Sequence, residues 1–554
     1  MTESEINCAI PLLEEHFGPI VSKVADALLR NGHSTLRMVV FFCRQTLANV
    51  KTSLRILIHH QFVSYDLNQK GQLEYELDVR RVLCINRYGR FIQIGCQLDS
   101  QFGSLIVRHL LCEGQLRLSE LIELIVDELV LDSATSTADP CTLPRLIYQS
   151  FSRFVGQSFV TRSAHCFSNE EQKKEAIIRN ESVGIGLPEI NFQLIDCRKP
   201  HERSTPNVEL VGGDLLGERP PKRLKTEQSN GGCDPLVDRS KQSDHNIYWQ
   251  LNLIRFNQHI CDQLTIKAVY EFYEDERAAE IARIMFRLNQ NRNPHLYQSS
   301  LISSSDIVKE ALRSDNFSNV DQVSNYLQLF HTDNKFISRK EDTSDGGKYV
   351  VDSEYAIEEL VKNSVASLVK DIYGAKSARL FRLLCIKKFL QQKQLGEDAM
   401  LSAKDAKERS FSLFKDGFIK VLQFGKTPEY APLKTCFVFT VDLKEVVNSL
   451  LQRCYHGMYA MTCKRTSELQ QNQALLEKKK LIDAIVENLS NQEDAEEQIE
   501  ELNQSFTTHE REQLTRLEQL GTQTRMAECQ LDETVLLFQS WLAIKSNNPL
   551  NVLT

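Results

Sequence analysis

The residues of this chain best able to bind a metal or attack an electrophile are its fifteen cysteines and thirteen histidines, and their spacing decides what they could do. The cysteines stand singly, with no CxxC pair and no Cys/His alternation, a pattern of reduced thiols that implies no zinc. His165 and Cys166 adjoin, but two ligands cannot complete a tetrahedral site. His59 and His60 close a helical run, where a capping or surface role fits better than catalysis. The phosphate-cradling GxxxxGK[ST] loop is absent, as are HExxH, GxSxG and paired DxD arrangements. No catalytic residue, no metal and no cofactor is expected.

Charge is the chemistry this sequence does carry. The formal net charge of −8 conceals two opposed segments. Residues 481–520 hold eleven acids against Arg511 and Arg516, a net of −9, whereas residues 372–426 hold twelve Lys/Arg against five acids, a net of +7. The basic segment could meet phosphates and the acidic one would repel them.

These charges must be positioned by folded elements, and a repeat defines the elements. Four times a helical stretch runs through a short polar turn into Phe followed by Val or Ile: HHQFVSYDL at Phe62, VGQSFVTRS at Phe159, DNKFISRK at Phe336 and KDGFIKVLQF at Phe418. The intervals are 97, 177 and 82 residues, and the long one contains a polar stretch of about one further domain length. Three copies continue into a second strand-like run, LEYELDVRRVL, KYVVDSEYAIEEL and CFVFTVDLKEVV. Apolar residues recur at helical spacing before each Phe, as in Ile20, Val24, Ala27 and Leu28. Helices followed by a two-stranded hairpin make a winged helix, with the Phe packing the first wing strand onto the helices.

Beyond Asp442 one long helix is expected, in which a seven-residue series runs from Val447 through Cys454, Met461 and the polar Glu468 to Leu489, beside a second series from Leu451 to Val486 broken by Arg465, Asn472 and Lys479. After the acidic turn NLSNQEDAEE a returning helix ends in VLLFQSWLAI, so the two form an antiparallel coiled-coil hairpin with Val535, Leu536, Phe538 and Trp541 beside Leu450 and Tyr455. The fold class is mainly α with small β wings: four tandem extended winged helices and a C-terminal hairpin. The expected domains are 1–88, 89–165, 246–360 and 361–441 for the winged helices, 442–543 for the hairpin and 544–554 for a tail. Residues 166–245 read as a disordered linker, poor in apolar periodicity. Its PPKRLK cluster is either a nuclear import signal or an ordinary solvated basic run.

With 554 residues, 42% hydrophobic and 25% charged, the chain is long enough for several cores and has an ordinary soluble composition. No stretch reaches the roughly 20 apolar residues of a membrane span, and the N-terminal sequence lacks a secretory pattern. A protein that is neither secreted nor membrane-bound is expected.

The order of these parts, together with EEHFGPIVSKVADALLRNG, ILIHHQFVSY, LEYELDVRRVLCINRYGRFI and DIYGAKSARLFRLL, resembles the large winged-helix subunit of RNA polymerase III over nearly the whole chain. Its domain type is also similar to the large subunit of the general factor TFIIE. The resemblance implies a non-catalytic subunit of a nuclear DNA-directed RNA polymerase that makes transfer RNA, 5S ribosomal RNA and other short transcripts. It implies two smaller partners in a peripheral heterotrimer on the polymerase clamp, a role in promoter recognition, opening and initiation, and an active site with its magnesium-binding carboxylates on other chains.

Candidate contacts follow from charge. Lys404, Lys407 and Arg409 fall where the fourth recognition helix should lie, with Lys387 and Lys388 on the preceding helical stretch, so promoter DNA, double- or single-stranded, is the expected ligand there. Docking onto an acidic protein surface is the competing use of this face. Arg465, Asn472 and Lys479 in the hairpin seam and Glu496 and Glu497 in its acidic turn are the expected partner contacts, with no homo-oligomer and no membrane. A free winged-helix regulator or scaffold is the alternative. Residues 1–85 balance nine Lys/Arg against nine Asp/Glu, which favours protein contacts over base readout there.

Overall fold

The computed structural model describes residues 2–68, 71–131, 142–163, 244, 247–289, 300–314, 317, 319–333, 335–341, 347–425, 435–489 and 506–546. The linker 166–245, Asp244 excepted, its PPKRLK cluster, and the acidic residues Glu496 and Glu497 lie outside the described residues. The described chain is mainly helical with small antiparallel sheets, and it divides into two compact units, Met1–Gly89 with Leu253–Thr554, and Arg90–Asn252. No described helix is long and apolar enough to cross a membrane.

Three of the four Phe positions, Phe62, Phe159 and Phe418, owe their regularity to the way the recognition helices end. At the end of the helix Leu47–His59, Gln61 adopts a left-handed φ of 63°, its N–H bonds to the Ile58 carbonyl, and the Phe62 N–H reaches back to Leu57. Ser158 (φ 62°) and Phe159 repeat this after Leu143–Gly156, as do Gly417 (φ 80°) and Phe418 after Ala403–Lys415. This is a Schellman ending, in which the residue after the left-handed turn is apolar and folds back onto the helix. The side chains of Phe62, Phe159, Phe336 and Phe418 are all buried.

Each wing strand starts just past its Phe. In the first winged helix β1 (Ser34–Thr35), β2 (Val63–Leu67) and β3 (Leu73–Leu77) form a sheet in the order β1-β3-β2, with Val63 opposite Leu77 and Tyr65 opposite Tyr75. Its helices are Glu3–Phe17, Pro19–Asn31, Leu36–Cys43 and Leu47–His59.

The unit Arg90–Asn252 corrects the sequence reading. Its first wing strand β4 (Val160–Arg162) pairs antiparallel with β5 (Trp249–Leu251), which lies beyond the linker in the stretch expected to open the third domain. Trp249 is buried, with its ring edge-on to Phe151 at 5.3 Å and the Arg162 guanidinium over it at 5.4 Å. The second domain therefore closes with residues from 247 onward, and the boundary at 246 falls one strand too early.

The third and fourth winged helices repeat the order of the first. One has β6 (Ile302–Ser303), β7 (Ile337–Glu341) and β8 (Lys348–Val351), the other β9 (Leu390–Gln391), β10 (Lys420–Gly425) and β11 (Thr435–Thr440). The expected boundary at 360/361 cuts a single helix, Ser353–Tyr373, because the strand-like run KYVVDSEYAIEEL is strand only as far as Val351. Asp352 then caps the helix, accepting from the Glu354 and Tyr355 N–H groups. Asp78 and Asp442 cap the helices after β3 and β11 in the same way.

The hairpin runs antiparallel. Along its rising arm Tyr455 meets Gln539, Arg465 meets Glu528 and Lys478 meets Glu510, so partner numbers fall as residue numbers climb. The rising arm is not one helix as expected: Leu443–Gln471 and Gln473–Leu489 are interrupted at Asn472, whose side chain turns back to the Glu468 carbonyl. Val535, Leu536, Phe538 and Trp541 are buried on the returning helix Thr508–Lys545, as are Leu450 and Tyr455 on the rising arm.

Candidate nucleic-acid interface

The fourth winged helix builds its basic face from two helices, Ala375–Lys387 and Ala403–Lys415. Ser402 starts the second by accepting the Asp405 N–H at 3.1 Å, and Ala406, Ser410 and Leu413 turn its apolar side into the core. That leaves Lys404 and Lys407 exposed on the opposite side, one turn apart, with no ion pair among the described residues. Phe411 is exposed one turn further on.

Not all of the expected positive charge is free. Lys387 pairs with Asp398 at 2.7 Å and Lys376 with Asp405 at 3.0 Å. The Lys376 ammonium, through its hydrogen bond, holds the Asp405 carboxyl below its ordinary range. Lys420 is held by Asp442 and Glu445. Arg409 is exposed but donates through Nη1 to the Tyr373 carbonyl at 3.1 Å, which orients its guanidinium along the protein surface. Lys388 is exposed at the end of the helix with a left-handed φ of 64° and makes no ion pair among the described residues. The structure thus brings Lys404 and Lys407 together as free cations on one recognition helix, and partly spends Lys387 and Arg409. Phe418 is core, with Tyr373 edge-on at 5.9 Å, so it offers no stacking platform.

The hairpin candidates separate further. Arg465 is 4% exposed; its Nη1 donates to both Glu528 carboxylate oxygens at 2.7 Å and its Nη2 to Glu15 of the helix Glu3–Phe17 at 2.7 Å. Burial works against its charge, but the hydrogen bonds to Glu528 and Glu15 outweigh it and hold the guanidinium protonated beyond its ordinary range. The expected opening for a partner helix at Arg465 is therefore filled from within the chain: this residue binds the hairpin to the first winged helix. Asn472 is half-buried at the helix interruption, and Lys479 pairs with Glu518 at 2.6 Å on the surface.

A second buried pair had no sequence signal. Arg87 donates to Asp532 at 2.6 Å and to Asn257 at 3.3 Å, joining the end of the first winged helix to the returning hairpin helix and to the helix Leu253–Tyr273. Residues 445 apart cannot be paired from periodicity alone. No group of three or more His, Cys, Asp or Glu able to hold a metal occurs among the described residues.

These features define a tandem winged-helix protein closed by a helical hairpin. Family models place it further. An RNA polymerase III subunit RPC82 helix-turn-helix domain matches residues 7–68, RNA polymerase III subunit RPC82 matches 169–360, a POLR3C C-terminal winged-helix domain matches 365–441, and the helical hairpin domain of DNA-directed RNA polymerase III subunit RPC3 matches 474–537. The chain is 32% identical over 552 residues to DNA-directed RNA polymerase III subunit RPC3 of Bos taurus, covering 98% of this chain and 99% of the relative. It is 31% identical to the Homo sapiens subunit and 29% to that of Danio rerio, each over 98% of this chain and 99% of the relative. The chain belongs to the DNA-directed RNA polymerase III subunit RPC3 family.

Proposed function

We propose that this chain serves nuclear RNA polymerase III as a non-catalytic subunit, within a peripheral heterotrimer on the clamp, and supports promoter opening and initiation of transfer RNA, 5S ribosomal RNA and other small RNAs. Family membership across nearly the full length supports the subunit role. Two smaller subunits are its partners in the heterotrimer, and the active site lies on other chains.

Within this role the fourth winged helix makes the principal nucleic-acid contacts. The observation that carries this reading is the pair of exposed, unpaired lysines, Lys404 and Lys407, on its recognition helix, supplemented by Lys388. Unpaired cations release counterions from a phosphate backbone without first breaking a protein ion pair, which gives salt-sensitive and sequence-tolerant binding. Replacing Lys404, Lys407 and Lys388 by Ala in the assembled polymerase is expected to lower promoter affinity and to flatten the slope of log affinity against log salt by about 2–3. An unaltered slope with lost incorporation of the subunit would overturn the DNA role.

A second reading has its own observation. Ile386, Phe389 and Phe411 are exposed large apolar side chains near the same cations. Exposed aromatic groups beside basic ones suit an acidic protein surface, and the incorporation arm of the experiment reports on it.

A further inference from the structure

The charge balance of the first winged helix looks neutral when taken over residues 1–85, but the structure shows that the balance is not shared evenly. No Asp or Glu occurs from residue 27 to residue 65, the stretch that includes both helices of the helix-turn-helix, Leu36–Cys43 and Leu47–His59. The acids of the domain's wing stand on β2 and β3 instead: Asp66, Glu74 and Glu76.

On these two acid-free helices and the turn between them, Arg37, Arg44, Lys51 and Arg55 are exposed, and none has an ion-pair or hydrogen-bond partner among the described residues. The same helices expose large apolar side chains. Phe41 is 78% exposed, and Met38, Phe42 and Leu47 are each at least 40% exposed. Met38, Phe41 and Phe42 stand at i, i+3 and i+4 on the helix Leu36–Cys43, so they share one side, and the Phe41 and Phe42 rings meet edge to face at 5.7 Å. Arg44, in a left-handed conformation (φ 50°), makes the turn that leads to Leu47 at the head of the next helix.

Aromatic, Met and Arg side chains without acids form the composition of a protein interface core. A duplex is a poorer occupant, because a solvated phosphate backbone would leave Phe41, Phe42 and Met38 uncovered. We propose that this face docks an acidic amphipathic helix from another polymerase subunit, whose apolar side chains cover Phe41, Phe42, Met38 and Leu47 while its carboxylates meet Arg37, Arg44, Lys51 and Arg55. The proposal rests on the subunit reading above and adds the chemistry of one partner.

The test uses the full-length chain with a photo-crosslinking benzoylphenylalanine in place of Phe41 or, in a second variant, Leu47. Both positions are surface-exposed, so neither change disturbs a core. The polymerase is purified through its catalytic core, irradiated on promoter DNA, and the crosslinked species are sequenced. The expected product is a peptide of another polymerase subunit with Asp or Glu interleaved among apolar residues at helical spacing. Adding Lys51→Glu and Arg55→Glu to the same chain is expected to lower its yield about tenfold. Crosslinks to DNA, crosslinks to a peptide without acids, or no crosslink from either position would overturn the proposal. Absence of the wild-type chain from the purified polymerase would instead overturn the subunit reading, which keeps the two failures distinct.

Discussion

Removing the Arg465 guanidinium would leave Glu528, itself buried, without its counter-charge, and would release Glu15 on the helix Glu3–Phe17. Breaking such a pair from one side costs about 3–5 kcal/mol, far more than the net worth of the pair, because the orphaned carboxylate stays in a low-dielectric site. Arg465→Met is therefore expected to lower the thermal unfolding midpoint strongly, and Arg465→Met with Glu528→Leu to regain much of the loss. Equal midpoints for Arg465→Met and wild type would show that the pair does not tie the hairpin to the first winged helix. The residue was legible in sequence as an interruption of the seam, but its meaning was not. Periodicity locates a polar side chain on an apolar stripe; only the fold reveals that a third helix delivers Glu15 to the same place.

At the scale of elements, the recurring Phe was the most legible feature, and its cause is local. A left-handed residue ends the recognition helix, and the next side chain must fold inward, so the signal is written within six consecutive residues. The second wing strand of the second domain was not legible, because β5 lies across the linker from β4. A subtler signal was present. Asp78, Asn252 and Asp352 each follow the second wing strand, and each donates its N–H to the carbonyl of its domain's Phe, at 2.9, 2.9 and 2.7 Å respectively. An Asx residue between a short aromatic-rich run and a new helix therefore marks the end of a wing, and YWQLNLIRF carries it. Trp249 anchors that strand, so Trp249→Ala is expected to cost about 3–5 kcal/mol within the second winged helix. Hydrogen exchange should then lose protection in Val160–Arg162 and in Leu143–Gly156, and retained protection there would contradict the assignment of this strand.

The first, third and fourth winged helices share one sheet order, so charge rather than fold distinguishes these copies, whereas the second closes its wing with a strand from beyond the linker. The recognition helix of the fourth carries free lysines, that of the first carries cations beside exposed aromatic rings, and buried Arg465 and Arg87 fasten the hairpin to the first copy. The even charge balance of residues 1–85 conceals the face of the first winged helix, since the acids that offset its cations stand on other elements, among them Asp66, Glu74 and Glu76 of the wing. The family could be read from the order of modules and from local sequence, whereas the assignment of faces needed the pairing that only coordinates supply. Family membership implies that this chain works as part of RNA polymerase III. Native purification from its own cells, through a tag on this chain, tests it most directly. Stoichiometric recovery of the polymerase catalytic core with two smaller subunits, stable at moderate salt, is the expected result. Recovery of the chain alone on DNA, without the core, would contradict it.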